Sequence, residues 1–171
     1  MQCTNCIGTH KYAGIGNRET PAAIGQIMTQ AAMRLALQGW ILRSGEAKQK
    51  PGSAKDTVSA DLAFEAGCDL INPRAKVIRV PTMGQAALDH AAQFHPNWSA
   101  CSEHARYLHA RNSLIMLGDW LDDPVRFVLC WTPGGAVTGG TGQALRIAAA
   151  YGIPVVNLAV QPVDALWSML G

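Results

Sequence analysis

The sequence has no apolar run near the ~20 residues needed to cross a bilayer. Its first ten residues, MQCTNCIGTH, lack the basic start and apolar stretch of a secretion signal. Charge is scarce: 15% of the 171 residues are charged against 49% apolar, and the net charge is +2. That balance excludes a disordered chain. It gives no global electrostatic argument for a nucleic-acid partner, while leaving room for a local basic patch. The expectation is a cytoplasmic protein with no membrane association.

Cysteines are few and odd in number: Cys3, Cys6, Cys68, Cys101 and Cys130. A scattered odd set excludes a disulfide framework and suits reduced thiols. Cys3-x-x-Cys6 with His10 offers three zinc-type ligands, but a closed structural site takes four, and no second Cys-x-x-Cys or His pair follows. The other reading of residues 1–10 is a tail with two free thiols. No metal and no cofactor are expected.

What is present is an alternation of short apolar strands and helical periodicities. Strands are expected near 11–16, 40–44, 76–80, 126–131 and 154–159. Between them, Ala22 to Gln38 has helical spacing after Thr20, a candidate N-cap, and Pro21, a candidate first helical residue. Further helices are expected over Ala60 to Ala66, stopped by Gly67, and over Gln85 to Phe94, Ser102 to Leu117, Gly142 to Tyr151 and Val163 to Leu170. Residues 46–59, with Lys48, Lys50, Lys55 and Asp56, read as an exposed mobile loop. The pattern predicts an α/β fold: residues 1–171 as one Rossmann-like three-layer domain with a mostly parallel sheet. In such sheets ligands lie beyond the carboxyl ends of the strands, near the switch in strand order.

The strongest chemical signal is Thr132-Pro133-Gly134-Gly135-Ala136-Val137-Thr138-Gly139-Gly140-Thr141-Gly142, which follows an apolar strand and precedes a helix. Glycines let backbone approach a ligand closely, and a helix N-terminus favours an anion such as phosphate. The segment lacks the GK[ST] of a Walker A motif. A second signal is Gly16-Asn17-Arg18-Glu19 at the end of the first strand, where Arg18 can clamp phosphate and Glu19 can accept from ribose hydroxyls. A third is Arg111-Asn112, with His104 seven residues before Arg111 on the same helix face.

Arg111-Asn112 ahead of Pro133-Gly134-Gly135 and Gly140-Thr141 resembles the Lonely Guy (LOG) family, in which an Arg-Lys pair precedes PGG-x-GT-x-EE. Gly16-Asn17-Arg18, Ser44-Gly45-Glu46-Ala47, Asp61 and Phe64-Glu65 resemble the DNA-processing protein A (DprA, Smf) family, and the small size resembles DprA-like proteins of bacteriophages. The resemblances cover about residues 12 to 160 and imply a nucleotide-binding, oligomeric Rossmann-like fold. They implicate Gly16, Arg18, Ser44, Gly45, Arg111, Asn112, Pro133, Gly134, Gly135, Thr138, Gly139, Gly140, Thr141, Gly142 and Gln143 in ligand binding. LOG enzymes cleave the N-glycosidic bond of a nucleoside monophosphate and use paired glutamates. Here those positions hold Gln143 and Ala144, so a hydrolase would need Glu65, Glu19 or Asp61 as its carboxylate.

Three functions follow. The leading expectation is a sensor or sequestering protein that binds a small-molecule nucleotide at the glycine loop. The alternatives are a LOG-like N-glycosidic hydrolase and a DprA-like binder of single-stranded DNA, the latter drawing on Arg43, Arg74, Lys76 and Arg79. A symmetric homodimer through helix 102–117 and the terminal helix is expected.

Overall fold

The structure, a computed structural model, describes residues 10–171. Cys3 and Cys6 lie outside the described residues, and with them the question of zinc beside His10. The chain runs β1 (Lys11–Gly16), β2 (Thr20–Pro21), α1 (Ala22–Leu37), β3 (Ile41–Ser44), β4 (Thr57–Val58), α2 (Ala60–Ile71) and β5 (Lys76–Ile78). It continues through α3 (Gln85–Phe94), α4 (Glu103–Leu117), β6 (Val128–Trp131), α5 (Gly139–Ala150), β7 (Val155–Asn157) and α6 (Asp164–Leu170). Five strands form one parallel sheet in the order β5-β3-β1-β6-β7. Counted within that sheet alone, the order is third-second-first-fourth-fifth, as in doubly wound dinucleotide-binding folds. Among the described residues, no helix is long and apolar enough to cross a membrane.

Side-chain alternation along the strands builds two cores. Tyr12, Leu42, Phe127 and Leu129 point to one face and pack with Met28 and Leu35 of α1, Phe64 of α2 and Leu166 of α6. Ala13, Ile15, Val128 and Cys130 point to the other and pack with Ile115 and Met116 of α4 and Leu145 and Ile147 of α5. The sheet is therefore covered on both sides, which is why β6 reads as an unbroken apolar run.

Several local expectations give way. Thr20 does not cap α1: it pairs with Val58 in a two-residue antiparallel bridge, and its hydroxyl donates to Asn17 O (2.8 Å), leaving Pro21 at the N-cap. Gly67 does not stop α2, which runs on to Ile71. A Cβ at position 67 would stand 2.3 Å from Thr29 O, so glycine is there to let α2 press on α1. Residues 46–59 form a mostly exposed loop with hydrogen bonds inside it and to the start of α1. Gln49 Nε2 donates to Thr57 O (2.9 Å), Ala22 N donates to Asp56 O (2.8 Å), and Ser59 Oγ, the N-cap of α2, donates to Ala47 O. The helix expected from Gly142 starts three residues earlier: α5 begins at Gly139.

Candidate functional site

β1 and β6 are neighbours, yet the chain leaves β1 toward the helices of one face and β6 toward those of the other. Their carboxyl ends flank the crevice that a reversal of strand order opens. A cavity of about 660 Å³ lies there. It is lined by Gly16, Asn17 and Arg18 after β1, residues 45–50 after β3, Asp61 of α2, His104, His109, Arg111 and Asn112 of α4, and Thr132, Pro133 and 138–141 after β6. A second groove of about 530 Å³ runs between α1, α2 and β4, but among the described residues no charged one lines it.

Arg111 is the cavity's most constrained cation. Its Nη1 donates to Gly45 O (3.0 Å), and its guanidinium lies so close to Gly45 that a Cβ there would be 2.6 Å from Cζ. Arg111 Nε is buried and has no hydrogen-bond partner among the described residues. Burial disfavours its charged form, and the nearby Asp61 carboxylate opposes that. Asp61 is only 3% exposed. Its Oδ2 accepts from Ala47 N (3.0 Å). Burial nevertheless pushes its carboxyl up to about 6, against the pull of the Ala47 amide, the Arg111 charge and the Gly45 and Gly16 amides.

The glycine segment forms the opposite wall. Its base is fixed by Asn157, whose Nδ2 donates to Thr132 Oγ1 (2.8 Å) and whose Oδ1 accepts from Thr132 N (3.3 Å). Its crest is held by Asn112 Nδ2 donating to Gly140 O (2.9 Å). Gly139 has φ +62°, a conformation that side chains resist. Thr138 supplies no side-chain cap to α5, so the first-turn amides have the partner deficit of any helix start. A Cβ on Gly139 or Gly140 would meet nothing within 4 Å, so the space beside these two residues is open, and both line the cavity.

Of the residues expected at the site, Gly16, Arg18, Gly45, Asp61, Arg111, Asn112, Pro133, Thr138, Gly139, Gly140 and Thr141 line this cavity. Others stand elsewhere. Ser44 is buried and donates to Gly14 O (2.7 Å), joining β3 to β1. Gly134, Gly135 and Gly142 are not on the cavity wall. Gln143 is fully buried; it donates to Ala91 O and accepts from Arg146 Nη2, both at 2.8 Å, so it faces α3. A glutamate at that position would share this placement. Glu65 pairs with Lys76 (3.5 Å), and Glu19 pairs with Lys50 (3.3 Å) outside the lining.

Of the cations named for a DNA groove, three are committed elsewhere: Arg43 to Asp123, Lys76 to Asp69 and Glu65, and Arg79 to Asp119. Arg74 is exposed and stands off the cavity lining. Lys48 and Lys50 take their place on the cavity rim, together with His109 deeper in the wall. The two lysines were visible in sequence as part of a polar loop, but only the folding of that loop over the strand ends makes them site residues.

With strand order and crevice in place, comparison with solved structures is informative. The fold is similar to that of DNA processing protein A from Helicobacter pylori. The likeness has a TM-score of 0.55 at 18% sequence identity and covers 87% of this chain. It spans 65% of the other chain, whose structure was described for its single-stranded DNA binding mode. At that identity the likeness establishes a shared α/β architecture. No protein-family model and no curated protein sequence matches the chain.

Proposed function

We propose that the chain binds single-stranded DNA across the carboxyl ends of its parallel strands, with one phosphate seated between the first-turn amides of α5 and Arg111. The observation that carries this reading is the half-buried Arg111, held against Gly45 with its Nε unpartnered, on a cavity wall opposite open glycine backbone. Arg18 and Lys48 extend the positive rim, and Lys50 stands there paired with Glu19 (3.3 Å). The fold's similarity to a protein described as binding single-stranded DNA supports the reading. No Phe, Tyr or Trp lines the cavity, so binding here rests on phosphate rather than on base stacking, and it is sequence-tolerant and salt-dependent.

Fluorescence anisotropy with a labelled oligothymidylate across a salt series tests this. Arg111→Ala removes a charged hydrogen-bonding group worth about 1.5–3 kcal/mol, so affinity falls roughly tenfold or more. The salt slope falls by about 1, as for one lost phosphate contact. Wild-type affinity and slope in Arg111→Ala would overturn the assignment.

A second reading has its own observation: the cavity volume of about 660 Å³ suits a single small molecule. A nucleoside monophosphate would place its phosphate on the same amides. Asp61 would then be the working carboxylate if turnover occurs, because Glu65 and Glu19 are paired outside the cavity. Incubation with a panel of nucleoside monophosphates separates the outcomes: free base means hydrolysis, intact bound nucleotide means sequestration, and neither leaves DNA binding alone.

A further inference from the structure

One cluster of metal-ligating side chains among the described residues goes beyond the phosphate site: His95, Cys101 and His109. They are separated in sequence by the break after α3, a short 3₁₀ turn at Trp98–Ala100 and the first turns of α4. His95 is the C-cap of α3, in the extended backbone that the following Pro96 favours. Cys101 leaves the 3₁₀ turn, and His109 is carried by α4. One ligand atom from each lies within 4.8 Å of the others.

We propose that His95, Cys101 and His109 form a binding site for a zinc-class divalent cation on the wall of the strand-end cavity. The chemistry of the donor set selects the metal: two imidazoles and a thiolate are borderline-soft ligands that zinc takes tetrahedrally. The donors lie close enough to converge on one ion. With Zn–N of about 2.0–2.1 Å and Zn–S of about 2.3 Å at a tetrahedral angle, nitrogen and sulfur stand about 3.6 Å apart. Cys101 Sγ lies 3.5 Å from His95 Nε2 and 3.6 Å from Nδ1, so the sulfur faces the two nitrogens equally rather than one lone pair, and the His95 ring must turn for the ion to enter. The two imidazole centroids are 4.4 Å apart, so the rings part slightly as it does. His109 Nδ1 is buried without a hydrogen-bond partner among the described residues, and ligation of an ion would satisfy its lone pair.

Two features oppose the ion. Asn97 N donates to His95 Nδ1 (3.2 Å), so ligation through Nδ1 displaces that amide, and ligation through Nε2 requires it to turn away. Arg146 is close enough for its charge to act on both imidazoles. Its guanidinium is anchored to Phe94 O (2.7 Å) and Gln143 Oε1 (2.8 Å), and ionisation of the Cys101 thiol supplies the compensating negative charge. Three protein ligands leave the fourth tetrahedral position for water, the arrangement of a zinc site open to exchange. His109 itself lines the cavity, which puts the ion at its edge.

The test is titration of the full chain with Co²⁺ as a spectroscopic stand-in, followed by competition with Zn²⁺. A Cys3→Ser/Cys6→Ser variant removes the other cysteine pair that could generate the same signal. One equivalent of Co²⁺ with a thiolate-to-metal charge-transfer band is expected in wild type and in that variant. The band is lost in Cys101→Ser, and affinity falls about tenfold or more in His95→Ala, at least the loss seen when only a supporting residue is removed. A band that vanishes with Cys3 and Cys6 but survives Cys101→Ser overturns the site, as does no band at all. Thiol labelling provides a measurement that needs no change at Cys101. Cys68 and Cys130 are buried and Cys101 is partly exposed, so in Cys3→Ser/Cys6→Ser stoichiometric Zn²⁺ protects the one fast-reacting thiol and a chelator restores its reactivity. Equal labelling with and without Zn²⁺ counts against the proposal.

Discussion

Asp61→Asn tests the electrostatics of the cavity most directly, because its effect on stability has a fixed sign and a fixed pH window. Asp61 is almost fully buried, and its carboxyl is pushed from an ordinary 3.8 up to about 6. An acid whose folded-state pKa is raised binds a proton in the native state that the unfolded chain has already released. Below the unfolded value both states are protonated and the group contributes nothing. Between 3.8 and about 6 stability falls as pH rises, and above about 6 the full cost is present. The shift of about two units corresponds to a cost on the order of 3 kcal/mol at neutral pH. Asparagine removes the charge and retains one oxygen for the Ala47 amide, whereas its NH2 meets the Gly45 and Gly16 amides less well than a carboxylate oxygen does and Arg111 loses its opposing charge; both give part of the gain back. Urea unfolding of both proteins at matched pH values measures the outcome. The difference between variant and wild type cancels the titrating groups that Asp61 does not act on; Glu65, whose carboxyl the Asp61 charge helps to raise, moves with it. We expect Asp61→Asn to be the more stable by about 1–3 kcal/mol at about pH 8, and the advantage to shrink toward zero near about pH 4. A variant less stable than wild type at about pH 8, or a difference that does not change with pH, would refute the reasoning.

Two further substitutions probe packing and positioning. Gly67→Ala places a Cβ 2.3 Å from Thr29 O, a backbone atom that cannot swing aside, so α1 and α2 must part. A loss of roughly 1–3 kcal/mol in chemical unfolding is expected, and a change within about 0.5 kcal/mol would show that the helices are not so closely packed. Gly45→Ala meets the far end of a flexible side chain, the Arg111 guanidinium, at 2.6 Å. Unfolding stability should therefore stay within about 1 kcal/mol of wild type, while DNA affinity drops toward that of Arg111→Ala. Unchanged affinity would separate Arg111's position from binding.

Much of the fold was legible because its signals are local. Apolar runs such as 127–131 and the helical spacing of 22–38 report dihedral preference and a buried face, and both were placed to within a few residues. Helix ends were less legible where a glycine has two possible reasons. Gly118 ends α4 with φ +77°, but Gly67 is required by a neighbour 34 or more residues away in sequence, which no window around it contains. The bridge between Thr20–Pro21 and Thr57–Val58 is equally nonlocal.

The sequence by itself determined the parallel α/β class, the glycine segment after β6 and the candidacy of Arg18, because residue type and strand-end position settle those. Asp61 and Arg111, on helices, became candidates through a family resemblance, Arg111 also through the helix face it shares with His104. Tertiary packing decided which of the candidates meet. α5 starts at Gly139, which carries Gln143 a turn into the helix and against α3, away from the cavity. Glu65 and Arg43 went to Lys76 and Asp123, since a buried charge takes whatever opposite charge the packing brings within reach. Lys48, Lys50 and the trio His95, Cys101 and His109 acquired their places only when a loop and two helices closed on one another. Side-chain chemistry is written residue by residue, but the distances on which binding depends are set by contacts between segments that the linear order keeps apart.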